Sequence, residues 1–272
     1  MYDFFNSVVL GIVEGLTEFI PVSSSGHLII ARDYLGLVGP SALSFDAVLQ
    51  LATACALLVF FFKDVLNLAY TALYLCLGLV VRTEDKNMLV AVIIGTVPAI
   101  LAGLLLEKYM DSVFRSAHLV AYALIVGSAV MVAAEWQTKR VATRKTLGLV
   151  SWMDGLTIGL FQCLALVPGM SRSGMTMAGG MFAGFTRADA ARFGFVLSLP
   201  ILFGSGLKKL YELHSTGALT SFGPDLLVGS IAAFISGLAA VWVLMSVVRR
   251  TPLTVFAVYR VLLAVLILVV LN

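Results

Sequence analysis

Two short polar runs carry most of the reactive side chains in this sequence, and they lie half a chain apart. In the first, Glu14 and Glu18 precede Pro21, and Ser23-Ser24-Ser25-Gly26-His27 follow it. In the second, Pro168-Gly169 lead into Ser171-Arg172-Ser173-Gly174, with Gln162 upstream and Thr176 just beyond. Glu14 and Glu18 are four residues apart and so share one helix face. Two carboxylates this close resist ionising together, so one holds a proton or a cation sits between them. Snorkelling to an interface is the alternative, and their distance from Met1 argues against it. Pro21 ends the helix before it. Ser23, Ser24 and Ser25 then offer N-caps for the next helix, and Gly26 would let backbone approach a ligand. Free N–H groups at the positive end of a helix form an anion site. Ser171, Ser173 and Gly174 repeat that arrangement, with Gly169 before them. Arg172 adds a planar guanidinium suited to phosphate. His27, three residues after Ser24, could be nucleophile, base or acid, and all three roles stay open. Together these groups suit phosphoryl transfer from a charged head group.

The background explains why such runs matter. The chain has 272 residues, 60% hydrophobic and 12% charged, with a mean hydropathy of +1.03. Soluble proteins carry about 25% charged residues, so this composition implies a polytopic helical membrane protein. A net charge of +3 is too small to imply nucleic acid. Residues 1–20 have no basic leader and contain both glutamates, so no cleavable signal peptide is expected. Cys55, Cys76 and Cys163 show no metal spacing and read as buried free thiols. No Walker loop or zinc histidine pair is present.

Six segments are long enough to span: Ser44–Phe62, Asn87–Leu106, Ala117–Glu135, Arg192–Tyr211, Asp225–Val248 and Leu253–Leu271. Met1–Leu37 is broken at Pro21–Gly26, and Trp152–Gly184 at Pro168–Gly174. The arm after each break spans roughly 16 Å as a helix, too short for a hydrocarbon core of about 30 Å. Each broken segment therefore reads as a re-entrant helix-loop-helix. Val65–Val81 reads as an interfacial helix. Three basic groups then share one face, taken as cytoplasmic: Lys63, Arg82 and Lys86; Lys139, Arg140, Arg144 and Lys145; Arg249 and Arg250. Both termini fall outside, and Lys208 and Lys209 are an exception near the outer end. Trp136 and Trp152 read as interfacial anchors, and Gly11-x-x-x-Gly15, Gly155-x-x-x-Gly159 and Gly180-x-x-x-Gly184 as close helix packing.

The two polar runs belong to an internal repeat. An offset of 148 residues aligns Gly11 with Gly159, Ser23 with Ser171, Ser25 with Ser173, Gly26 with Gly174 and Phe45 with Phe193. It also pairs Glu14 with Gln162, so the second run keeps a polar group there without the charge. Further on, Gly95-Thr-Val-Pro-Ala resembles Gly229-Ser-Ile-Ala-Ala. One integral membrane domain, 1–272, is expected, with repeats at about 1–135 and 149–272. Each half holds one re-entrant pair and three spans, which inverts the second half and lets the loop tips meet. The fold expected is therefore an all-α polytopic membrane protein, with six transmembrane helices and two re-entrant regions in inverted repeats.

At these residues the chain resembles the undecaprenyl-diphosphate phosphatase family, the type whose abundance confers bacitracin resistance. The match runs through Glu14-Gly-Leu-Thr-Glu18-Phe-Ile-Pro21-Val-Ser-Ser-Ser-Gly-His27 and Pro168-Gly-Met-Ser-Arg-Ser-Gly-Met-Thr176, and includes Phe45–Gln50 and Gly95–Pro98. Ser25 stands where the family often has threonine. The resemblance implies removal of one phosphate from undecaprenyl diphosphate, which returns the carrier lipid to peptidoglycan synthesis. It implies a multi-pass protein of the bacterial cytoplasmic membrane whose site opens outward. Bacitracin would act on the substrate rather than the protein, and a homodimer is compatible with the family. By position it assigns Glu14, Glu18, Ser24, His27 and Arg172 to catalysis, and Ser171, Ser173 and Thr176 to the second motif. It also favours a divalent cation, Mg or Ca, near Glu14 and Glu18, although the sequence contains no complete cage. A transporter or flippase of a lipid phosphate or an ion is the alternative, because broken helices in inverted repeats also build transporters.

Overall fold

The computed structural model describes residues 3–37, 42–110, 116–138, 140, 144–217 and 219–271. Among them are eleven α-helices. The first hairpin is α1 (Phe4–Phe19) and α2 (Ser24–Tyr34). It is followed by α3 (Ala42–Phe60), α4 (Phe62–Cys76), α5 (Thr83–Met110) and α6 (Ala117–Thr138). The second hairpin is α7 (Trp152–Leu164) and α8 (Arg172–Phe182), followed by α9 (Arg187–Ser215), α10 (Leu219–Val247) and α11 (Leu253–Val270). Five helices are long and apolar enough to cross a membrane, and α3 with α4 makes a sixth candidate. The chain is thus an all-α polytopic membrane protein.

Several boundaries differ from the sequence expectation for local reasons. The breaks are shorter than expected, because helix resumes at Ser24 and at Arg172. Ser24, Ser25, Gly26 and His27 therefore form the first turn of α2 rather than a loop. The returning arms, α2 and α8, have 11 residues each. Helix α9 begins at Arg187, five residues before the expected Arg192, because Thr186 caps it by accepting from the Asp189 N–H. The expected interfacial helix is α4, bent 80° from α3. Lying across the bundle, α4 leaves Cys76 exposed, and Cys55 and Cys163 are only half-buried, so the expectation of three buried thiols is corrected.

Small residues set how the helices meet. A Cβ on Gly11 would lie 2.2 Å from the Gly229 carbonyl oxygen, and one on Gly15 2.5 Å from that of Ala233. Helices α1 and α10 therefore touch backbone to backbone and run parallel. A Cβ on Gly155 would lie 2.2 Å from the Ala91 oxygen, and one on Gly159 2.2 Å from that of Gly95. Helices α7 and α5 make the same parallel contact. Gly11 and Gly159 are repeat equivalents, as are Gly229 and Gly95, so the packing follows the repeat in the sequence. Gly180 packs on Ala190 as expected, but Gly184 does not pack a helix. It ends α8 with φ of 94°, a left-handed turn that favours glycine.

These contacts also orient the hairpins. At the end of α6, Glu135 pairs with Arg187 at the start of α9 and accepts from the Leu253 N–H at the start of α11 at 3.1 Å. Asp64 at the start of α4 pairs with Arg192 at 2.5 Å. The start of α5 joins the start of α7 through Ala91 and Gly155. All three basic groups expected from the sequence therefore gather at one end of the molecule, except Lys139, which lies outside the described residues. The second hairpin starts from this basic end. Helix α1 runs parallel to α10, which finishes there, so the first hairpin starts from the opposite end. Near that opposite end, Lys208 and Lys209 face Glu212 at 3.9 and 2.9 Å, which offsets their charge locally.

Candidate active site

The two breaks meet inside the bundle. Ser23 and Ser171 precede the returning helices with φ of 76° and 70°, the only non-glycine residues with positive φ among those described. Such backbone is strained for serine and persists only where the surroundings hold it. The equivalence stops at the side chains. Ser171 Oγ accepts from the Gly174 N–H at 3.2 Å and lies 3.2 Å from Ser173 Oγ. Ser23 makes no cap bond, and its hydroxyl is buried without a partner.

The residues that begin α2 and α8, Ser24 and Arg172, are repeat equivalents, and both reach Glu18. Ser24 Oγ donates to Glu18 Oε2 at 2.7 Å. Arg172 Nη1 lies 3.4 Å from Glu18 Oε1. Gln50 Nε2, on α3, donates to the same oxygen at 3.4 Å. A polar cavity of ≈ 60 Å³ adjoins this cluster, lined by Glu18, Ser23, Ser24, Ser25, Gln50, Ala165, Val167, Ser171 and Arg172. First-turn N–H groups of a helix have no intrahelical acceptor. The cavity thus combines a hydroxyl bonded to a carboxylate, a guanidinium and two helix N-termini, which is an arrangement for gripping and attacking a phosphate.

Other expected residues stand behind the cavity wall. Glu14 is 1% exposed, and its Oε2 has no hydrogen-bond partner. The charges of Glu18, Asp46, Arg172 and Arg32 all act on it. Gln162, its repeat equivalent, accepts from Ser198 Oγ at 3.3 Å, and its Nε2 is buried without a partner. Thr176 Oγ1 donates to the Arg172 carbonyl at 2.9 Å, a back-bond within α8. Three of the expected glycines also pack closely on the side where a Cβ would stand. A Cβ on Gly26 would face Leu263 and Leu124, and one on Gly174 would face Met131. On Gly169 it would lie 2.4 Å from the Val120 oxygen, at a φ of 99°.

His27 is held at both ring nitrogens. Nδ1 lies 2.8 Å from the Ser23 carbonyl, and Nε2 lies 2.7 Å from the Tyr259 hydroxyl. A carbonyl only accepts, so Nδ1 carries the proton, and in the neutral ring Nε2 accepts from Tyr259. The Tyr259 ring stacks on the imidazole at 5.6 Å.

The family model described as Bacitracin resistance protein BacA matches residues 7–266. The chain belongs to this family. Among its relatives, an undecaprenyl-diphosphatase of Myxococcus xanthus is 42% identical over 98% of this chain and 88% of its own length. One from Mycobacterium sp. is 43% identical over 97% of this chain and 95% of its own. One from Bacillus velezensis is 38% identical over 100% and 99%.

Five residues of this family member matter to the site without a motif role that marks them in the sequence. Gln50 bonds Glu18, and Tyr259 bonds His27, as described above. Arg32, buried, and Asp46, half-buried, form a bidentate pair next to Glu14. Arg260 is 0% exposed, yet none of its partners is a carboxylate among the described residues. It donates to the carbonyls of Gly169 at 2.9 Å, Met170 at 3.0 Å and Leu124 at 3.2 Å, and to Ser128 Oγ at 3.2 Å. This arginine ties the second break to α6. It carries a signal that sequence can show: a lone charge inside an apolar span has a function by default.

Proposed function

We propose that this chain hydrolyses undecaprenyl diphosphate to undecaprenyl phosphate and inorganic phosphate, in the bacterial cytoplasmic membrane. The observation that carries this reading is the Ser24–Glu18–Arg172 cluster, in a chain whose relatives are named for that reaction. Arg172 and the N–H groups of the two helix starts hold the terminal phosphate. Ser24 Oγ attacks its phosphorus while Glu18 takes the hydroxyl proton. The new Oγ–P bond forms as the P–O bond to the bridging oxygen breaks, and that oxygen leaves with the lipid monophosphate. Water then hydrolyses the phosphoserine. Because the Nδ1–H of His27 is engaged by the Ser23 carbonyl and Nε2 by Tyr259, the imidazole is read as a brace for Ser23, and the serine as nucleophile.

A divalent cation fits this arrangement through its donors. Among the described residues no group of three or more His, Cys, Asp or Glu gathers. Mg²⁺ commonly takes one or two carboxylates and completes its shell with water and substrate phosphate oxygens. Glu14, with its unpartnered oxygen, and Glu18 would supply those carboxylates. When bound, such a cation would offset the negative charge of the diphosphate. The basic end reads as cytoplasmic, and the site as opening to the opposite, outer side.

The test is phosphate release from undecaprenyl diphosphate by purified protein in detergent. Wild type is expected to release phosphate, and Ser24→Ala to lose nearly all turnover. Trapping an adduct and mapping it to Ser24 separates the serine from His27. Near-normal turnover by Ser24→Ala rules out the serine scheme. No release by wild type, with substrate-dependent movement across liposomes, would favour a transporter instead.

A further inference from the structure

A second cavity, larger than the one at this cluster, lies elsewhere in the molecule. It measures ≈ 450 Å³, lies at the basic end and is lined by Arg144, Thr186, Arg187, Ala188, Asp189 and Arg249. Its three arginines come from three separate places: the connection after α6, the start of α9 and the turn between α10 and α11. The two nearby carboxylates are already engaged. Glu135 pairs with Arg187 and accepts from the Leu253 N–H. Asp189 Oδ2 accepts from Thr186 Oγ1 at 2.8 Å within the α9 cap. Arg144 donates to the Thr138 carbonyl, and neither Arg144 nor Arg249 has a carboxylate partner among the described residues. The start of α9 adds the positive end of its helix dipole. The three arginines thus face one lining carboxylate, Asp189, and Arg187 is paired with Glu135, which leaves an excess of one positive charge with Arg144 and Arg249 unpaired by carboxylates among the described residues.

The depth of the cavity points to the ligand. All three tryptophans of the chain lie at this end. They are Trp136 at the end of α6, Trp152 at the start of α7 and Trp242 near the end of α10, exposed by 57%, 53% and 64%. Exposed tryptophans settle at the level of lipid head groups. The Arg140 guanidinium lies 3.3 Å from the Trp136 ring centroid, which places another cation at the same level. We infer that this cavity binds the phosphate head group of an anionic phospholipid from the leaflet at the basic end. It is a separate site from the Glu18 cluster and does not depend on the phosphatase reading. A bound lipid would bridge the ends of α6 and α10 and the start of α9, which otherwise meet across an excess of positive charge.

The experiment uses the full chain in neutral detergent, wild type and Arg144→Gln/Arg249→Gln. Binding and thermal unfolding are measured with phosphatidylglycerol, phosphatidylcholine and inorganic phosphate. Each basic side chain near a lipid surface contributes about 1 kcal/mol, so removing two should weaken phosphatidylglycerol binding about 30-fold. Wild type should bind phosphatidylglycerol, unfold at a higher temperature with it, and respond little to phosphatidylcholine. Without lipid the double variant should unfold cooperatively near the wild-type midpoint, which shows that it is folded. Equal response to the two lipids overturns the proposal, as does unchanged phosphatidylglycerol affinity in the variant. Stabilisation by inorganic phosphate alone would assign the cavity to a soluble anion and overturn the lipid source.

Discussion

Glu18 is the residue on which the two halves of the chain converge. One oxygen accepts the Ser24 proton donor, and the other faces Arg172 and Gln50. Ser24 and Arg172 occupy the same place in the repeat, so one backbone design presents two different groups to Glu18, a hydroxyl and a guanidinium. An arginine that stabilises a transferring phosphoryl group contributes about 10³–10⁵ in rate. Arg172→Ala should lower kcat by about 10³-fold or more, and Arg172→Lys should recover only part of it, because lysine keeps the charge but loses the planar fork. Full activity in Arg172→Lys would reduce the guanidinium to a point charge. Tyr259→Phe isolates the brace on His27: the stacked ring stays while the hydroxyl goes. A hydrogen bond contributes about 1 kcal/mol, so kcat should fall several-fold to about tenfold with little change in KM. The chain has three histidines, so ¹⁵N spectra of labelled protein can follow the His27 ring directly. The Nε2 signal should move in Tyr259→Phe, and an unmoved signal would show that the tyrosine does not hold that nitrogen.

At the scale of elements, the site depends on how the second break is pinned. Arg260 donates four hydrogen bonds from α11 to the break and to α6. A buried carbonyl left unpaired costs about 1–3 kcal/mol. Arg260→Leu should therefore destabilise the protein by several kcal/mol, roughly the loss of two to three such acceptors. Unfolding in detergent measures this, and an unchanged midpoint would mean that the break holds its shape without the arginine. Gly127 is part of the same pin, since a Cβ there would lie 2.3 Å from Arg260 Nη2. The breaks themselves were legible in sequence, because prolines, serines and glycines are costly inside an apolar span unless something requires them. Their partners were less so. Gln50 and Tyr259 are ordinary residues on long helices, and only three-dimensional packing brings them to Glu18 and His27. Gly26, Gly169 and Gly174 follow serines or proline, where the sequence suggests an opening for a ligand. The Cβ side of each is filled by a neighbouring helix. Glycine marks close approach, and sequence does not say by what.

At the scale of the molecule, the question is which way the inverted halves face. The two hairpins start from opposite ends and meet at Glu18 and Arg172, so the site lies between the ends and its access is set by orientation in the membrane. The Arg and Lys residues gathered at one end argue that this end is cytoplasmic, because basic loops are retained on that side. The test needs single cysteines on a background lacking Cys55, Cys76 and Cys163. Arg140→Cys and Arg250→Cys report the basic end, and Ser215→Cys, at the exposed end of α9, reports the other. An impermeant thiol reagent applied to intact cells should label position 215 and spare 140 and 250, and inverted vesicles should reverse the pattern. That result places the start of α1 on the outer side. The opposite pattern would put the first hairpin on the cytoplasmic side, where a site opening outward would have to be reached through the second hairpin. Labelling from both sides at every position would mean that the chain inserts in two orientations, and the basic end would then not be what directs it.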